Sequence, residues 1–222
     1  MKRTLTALAM VLLIGVVAAH AGTVVLTFEG LQDNEEVLNY YNGGFGGNGS
    51  GPGPNYGITF GSDSLALISG ADGGSGNFSG APSGDTIIYF LSGAGDVMDV
   101  AAGFDTGFSF YYTAINNPGS VQVYSGLDGT GTLLADLYLP VTPSGGSPEC
   151  TYGAFCPFEP IGVTFGGTAE SVIFTGAANQ IGFDNITLGS GTPVGSPEPG
   201  ALTMLGTGLV GMLGLLRRKL NK

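Results

Sequence analysis

Between residues 22 and 195 the hydrophobic positions come in short bursts, separated every ten or so residues by clusters of Gly, Ser, Asn and Asp. The bursts are rich in Val, Ile, Phe, Tyr and Thr, whose side chains suit a pleated, half-buried surface. Helical periodicity is nearly absent. The pattern predicts strands at 23–29, 57–60, 64–68, 86–91, 107–113, 120–124, 133–139, 162–165, 171–175 and 180–188. About ten short strands with turn signals between them imply an all-β fold, an antiparallel β-sandwich of jelly-roll type. The clearest hairpin joins 121–124 to 133–139, with Asp128-Gly129 supplying the positive φ of the turn. Residues 42–56, dense in Gly, Asn and Pro, read as a long mobile loop, and 70–84 reads the same way. The Gly-rich stretches lack the Gly-Gly-x-Gly-x-Asp nonapeptide period, which excludes a calcium-binding β-helix.

The two ends follow a different pattern. Met1-Lys2-Arg3 precedes an apolar run to Ala18 and then Ala19-His20-Ala21. A basic start, a short apolar run and a small-x-small site predict a secretory signal helix over 1–21, handled by the secretion translocon and cleaved after Ala21. At the other end Ser196-Pro197-Glu198-Pro199 is followed by an uncharged apolar run over 201–216, then Arg217-Arg218-Lys219. As a helix this run is about 24 Å long, slightly short of the roughly 20 residues of a bilayer span. Snorkelling of the three basic residues absorbs the difference. The reading is a transmembrane helix with a cytoplasmic basic stop; a buried core helix is the alternative. Pro197 and Pro199 keep the preceding segment extended. The resulting organisation is a signal peptide at 1–21, a β-sandwich domain at 22–189, a flexible linker at 190–196 and a membrane-directed tail at 197–222.

The tail closely resembles the PEP-CTERM sorting signal of Gram-negative bacteria. The resemblance rests on Pro197, Glu198 and Pro199, on Leu205-Gly206-x-Gly208-Leu209, and on Arg217-Arg218. It covers about an eighth of the chain, with three parts in register. It implies an exosortase as processing partner, removal of the tail, and delivery of the domain to the cell surface or an exopolysaccharide matrix such as a biofilm.

Charge sharpens this picture. All six Lys and Arg, and the single His, lie in the two ends, so residues 22–195 contain no basic side chain, while 16 of the 17 acids fall there. Without His or Lys no Ser-His-Asp, Cys-His or Lys-based nucleophile can be assembled. A His-containing zinc site is excluded too, as is a cationic footprint for nucleic acid. An enzyme would have to run on carboxylates alone, as glycoside hydrolases can. Asp96 with Asp99, or Glu35 with Glu36, are candidate pairs that no spacing singles out, so the reading is non-catalytic. Uncompensated carboxylates repel one another, and calcium, which takes carboxylate and carbonyl oxygen, is their natural external partner.

Thr27-Phe28-Glu29-Gly30 and Gly182-Phe183-Asp184-Asn185-Ile186 resemble motifs of galactose-binding-like jelly-roll modules. In that family an acid of the first strand and one of the last meet at a structural calcium. The resemblance thus implies a site at Glu29 and Asp184, with backbone carbonyls and Asp33 as candidates for the remaining oxygens. The alternative is two exposed carboxylates on edge strands. Cys150 and Cys156 bracket Thr-Tyr-Gly-Ala-Phe in an exported segment and are expected to form a local disulfide, free thiols being the alternative. Tyr40, Tyr41, Phe45 and Tyr56, or Tyr111 and Tyr112, are candidates for a sugar-stacking platform, although the chain has no Trp and core packing competes for each. Tyr111 and Tyr112 point to opposite faces of a strand, so one of them belongs to the core. Asn48-Gly-Ser, Asn77-Phe-Ser and Asn185-Ile-Thr match glycosylation sequons, which carry no meaning in a bacterial chain. The function these features suggest is a non-catalytic surface or matrix protein. A calcium-dependent carbohydrate-binding module is the alternative and an acid-only glycoside hydrolase a remote one.

Overall fold

A computed structural model of the chain describes residues 22–92 and 95–195. The signal helix, the sorting motif Pro197-Glu198-Pro199, the transmembrane helix and the basic stop Arg217, Arg218 and Lys219 lie outside the described residues. Among the described residues no helix is long and apolar enough to cross a membrane.

The described chain is all-β, with eleven strands. They are β1 (Val24–Leu26), β2 (Ile58–Phe60), β3 (Ser64–Ile68), β4 (Thr86–Phe90), β5 (Gly95–Phe104) and β6 (Gly107–Thr113), then β7 (Gly119–Tyr124), β8 (Leu133–Leu139), β9 (Glu159–Thr164), β10 (Ala169–Gly176) and β11 (Gly182–Leu188). They form two antiparallel sheets, one ordered β3-β4-β11-β6-β9 with β1 added to β11, the other β2-β5-β10-β7-β8. From β4 to β7 and again from β9 to β11 the chain alternates between the sheets, the crossing pattern of a jelly roll. The β7–β8 hairpin has the expected turn, with Asp128 at φ 54° and Gly129 at φ 68°.

The two sheets differ in what covers them. In the second sheet β5 and β7 alternate between buried and more exposed residues, giving one core face and one solvent face. In the first sheet every residue of β4 and β11 is buried, so both faces are covered. The inner face meets a core built on aromatic rings. Phe110 of β6 lies between Phe183 of β11, at a centroid distance of 5.6 Å, and Phe174 of β10 in the facing sheet, at 6.2 Å. The outer face is covered by the segments 70–85 and 140–158, which bury Phe78, Ile87 and Phe158 with Tyr111 and Phe155 against them. These segments are zipped together. Phe78 and Phe155 form a parallel bridge, Phe155 N donates to the Asn77 carbonyl at 3.1 Å, and Tyr152 N donates to Ser79 Oγ at 3.1 Å. A Cys150–Cys156 disulfide closes the second segment.

Three details depart from the sequence reading. The first strand ends at Leu26 rather than Glu29, because Phe28 takes φ 62° and swings the chain off the edge of β11. The long strand β5 has no counterpart in the hydrophobic pattern. The loop 42–56 is tied into the fold by Glu35, whose fully buried carboxylate accepts Gln32 N at 2.7 Å, Asn48 N at 2.9 Å and Ser50 N at 3.0 Å. Burial alone would raise the pKa of Glu35, but these donors and the Ser50 hydroxyl outweigh it and hold the group below its ordinary value. After β11 the chain doubles back over the first sheet: Gly189 N donates to the Gly107 carbonyl and Ser109 Oγ to the Ser190 carbonyl. Gly162 makes this possible, since a Cβ there would run into the Gly191 carbonyl.

Candidate functional site

The two acids singled out in the sequence meet at one junction. β1 and β4 lie end to end along the same edge of β11, with Leu26 opposite Ile186 and Ile88 opposite Phe183. The other edge of β11 belongs to β6, whose register shifts between Asp184 and Thr187. Asp184 and Asn185 therefore occupy the gap between β1 and β4, and Asn185 takes φ 48° there.

Both carboxylates hold the four residues that lead into β4. Asp184 accepts Ser83 N at 2.8 Å, Ser83 Oγ at 2.8 Å and Asn185 N at 2.7 Å. Glu29 accepts Asp85 N at 3.1 Å and Thr86 N at 2.9 Å. Asp184 is 0 % exposed, so the reading of two exposed edge carboxylates fails for it, while Glu29 is exposed. Burial drives its pKa up, Ser83 and Asn185 offset part of that, and Glu29 adds repulsion, leaving it at about 7. Glu29 is also raised, first by burial, with Asp85 adding repulsion against the amides of Thr86 and Asp85. The side chain of the next residue, Asn185, is fully buried, and neither Oδ1 nor Nδ2 has a hydrogen-bond partner. Asp33 is engaged elsewhere, accepting Ile68 N at 2.9 Å. Among the described residues no group of three or more acidic, His or Cys side chains gathers as a metal site. A cation here would rest on two carboxylates and neutral oxygens.

The other nominated residues disperse. Tyr41 is core, its hydroxyl accepting Phe28 N, and Tyr40 is half-buried with its hydroxyl on the Glu29 carbonyl. Only Phe45 and Tyr56 of that set are exposed, and Tyr56 stacks on Tyr41. Tyr112 faces the core while Tyr111 packs under the outer segments. Each candidate carboxylate pair has one member engaged by backbone amides. Glu35 is a loop clamp, and Asp96 and Asp99 stand on opposite faces of β5, Asp96 inward and Asp99 accepting Asp128 N at 2.9 Å. Burial, with repulsion from Asp63 and Asp99 against help from Ser64 and Val97, raises Asp96 to about 7.

The sequence does not single out a cavity of about 490 Å³ on the outer face of the first sheet. Its floor is formed by β4 and the facing ends of β6 and β11, Thr113 lying opposite Gly182. One wall comes from the zipped segments through Asn77, Phe78 and Phe155, another from Asn179 and Gln180. Tyr89 of β4 lines it and donates to Asn34 Oδ1 at 2.7 Å, while Asn34 Nδ2 donates to Ser75 Oγ at 2.8 Å. None of the lining residues carries a charge. The volume is that of a small-molecule site, mostly apolar with a few convergent polar groups. The buried Thr113 hydroxyl has no hydrogen-bond partner. Thr113→Val, which keeps the shape and removes the unpaired group, is expected to stabilise the protein by about 1 kcal/mol in urea unfolding.

No protein-family model matches the chain, and no curated protein matches it. Solved structures do. The K2 cleaved adhesin domain of Lys-gingipain is 16 % identical over 77 % of this chain and 99 % of its own, with a TM-score of 0.46. A carbohydrate-binding module from Clostridium stercorarium, solved with cellobiose, is 17 % identical over 56 % of this chain and 92 % of its own, TM-score 0.33. A glycoside hydrolase family 43 arabinoxylan arabinofuranohydrolase from Bacillus subtilis is 19 % identical over 58 % of this chain and 25 % of its own, TM-score 0.36. At these scores no site or ligand is carried from any of them to this chain.

Proposed function

We propose that this chain is an exported, non-catalytic module of the cell surface or extracellular matrix that engages polysaccharide. The observation that carries the reading is the uncharged cavity, lined by carboxamides and aromatic rings. A carboxamide both donates and accepts, as a sugar hydroxyl does, and aromatic rings offer the apolar contact area on which a pyranose face can lie. Export is supported by the basic, apolar and small-residue order of 1–21 and by the disulfide, which belongs to an oxidising compartment. Sorting by an exosortase, with a transient inner-membrane anchor at 201–216, is supported by the resemblance of the 196–222 tail.

Calcium belongs to the same proposal as a structural ion. Glu29 and Asp184, with the unpartnered Oδ1 of Asn185 and neighbouring carbonyls, are an all-oxygen donor set of the kind the ion takes. It would supply the positive charge that residues 22–195 lack.

Binding is tested by pull-down on insoluble polysaccharides and by glycan array, comparing the unmodified chain with Phe155→Ala. The expected result is retention that the variant loses. Equal retention by Phe155→Ala and the unmodified chain would remove the cavity from the proposal, and release of sugar from any polysaccharide would replace a binding role with a catalytic one. Sorting is tested by the intact mass of the protein recovered from native cells. The expected mass lacks Arg217 to Lys222, and a chain that retains them contradicts processing.

A further inference from the structure

We infer that the cavity selects uncharged polysaccharide and rejects acidic polysaccharide such as polyuronate; this rests on the saccharide-binding reading above. Recognition of a carboxylated or sulfated sugar ordinarily uses Arg or Lys, whose N–H groups meet the anion directly. The cavity has neither, and residues 22–195 contain no Lys, Arg or His that could swing in from elsewhere. The polar side chains that line it, among them Asn77, Asn179 and Gln180, are neutral. Its one contact with charge has the wrong sign for an anion: Asn34, which receives the Tyr89 hydroxyl, donates its own Nδ2 to Asp33 Oδ2 at 2.9 Å.

The rest of the domain reinforces the choice. Of the sixteen carboxylates only Glu35, Asp96 and Asp184 are buried, and with no basic side chain among residues 22–195 the rest give the surface a net negative charge at neutral pH. A polyanion approaching the cavity meets that field over its whole length, whereas a neutral chain meets only the lining. Like-charge juxtaposition of this kind weakens an interface. The same property lets the module sit among acidic polymers without being captured by them.

The experiment measures affinity of the full chain for a panel of neutral hexose and pentose polysaccharides and for carboxylated counterparts of matched length. Calcium is present at one equivalent per protein, at about 50 mM and about 500 mM salt. The expected outcome is that binders are neutral, at least about tenfold tighter than any carboxylated counterpart at low salt. The gap should narrow at high salt as the screening length shrinks from over 10 Å to a few ångströms. Leu91→Lys, which places a cation on an exposed lining residue, is expected to raise the ratio of polyuronate to neutral affinity severalfold. A carboxylated polymer bound as tightly as its neutral counterpart would overturn this inference while leaving saccharide binding intact. Failure of every polymer to bind would overturn the saccharide reading and this inference with it.

Discussion

Raising the pH from 5 to 7.5 in the presence of a chelator is expected to lower the melting temperature of the protein, and added calcium to restore it. The cause is two buried carboxyls, Asp184 and Asp96, whose pKa values stand at about 7 in the folded chain against an ordinary 3.8. Between those values the folded state holds protons that the unfolded chain has released. Their contribution is complete below about pH 4, falls as pH rises, and is gone once the pH passes about 7. Each pKa unit is about 1.4 kcal/mol, so the pair amounts to several kcal/mol and roughly 10 °C for a domain of this size. Calcium needs ionised ligands, so its stabilisation should be larger at pH 7.5 than at pH 5.

Variants separate the two groups. Asp96 has a buried Oδ2 with no partner and stands on the core-facing side of β5. Asp96→Asn should therefore remove about half of the pH dependence and leave the calcium response. Asp184→Asn should remove the other half of the pH dependence and the calcium response together. Equal melting temperatures in calcium and in chelator at pH 7.5 would exclude the ion from the junction.

The second large effect is expected in the core. Phe110 is 0 % exposed and its ring meets Phe108, Tyr112, Phe174 and Phe183, joining both sheets. Phe110→Ala is expected to destabilise the protein by about 3–5 kcal/mol through lost burial and the cavity left behind. Urea unfolding should show it as a lower midpoint with an unchanged slope. Phe45, with 54 % of its surface exposed, gives the contrast: its change to Ala should stay within about 0.5 kcal/mol. If the two variants cost the same, the placement of the core is wrong.

Much of the architecture was legible because strand bursts alternate with turn chemistry. The expected strands at 64–68, 107–113 and 133–139 coincide with β3, β6 and β8. The failures have physical causes. β5 reads Gly-Asp-Val-Met-Asp-Val-Ala-Ala-Gly-Phe, in which six of the ten residues are Gly, Asp or Ala, types that strands usually avoid. It is a strand because tertiary pairing with β2 and β10 overrides propensity, and its inward Asp96 looks like a surface residue in any one-dimensional pattern. Glu29 and Asp184 were legible through their flanking motifs. The segment they grip, Ser83 to Thr86, was not, since its role depends on β1 and β4 meeting end to end on β11. The cavity was invisible for a similar reason. Asn34, Asn77, Phe155 and Gln180 come from four distant segments, and amides among glycines read as turns. The aromatic cluster around Tyr40 drew attention instead because its members are close in sequence, yet Tyr41 is spent on the core.

These two locations give the most direct test of the central claim. Titrating the isotopically labelled protein with an oligosaccharide from a polysaccharide it retains, and following backbone amide shifts, locates the binding surface. The account predicts that the shifting amides cluster at Asn77, Tyr89, Phe155 and Gln180, around the cavity on the outer face of the first sheet. Shifts confined to Tyr40, Phe45 and Tyr56, with the cavity residues unmoved, would contradict it.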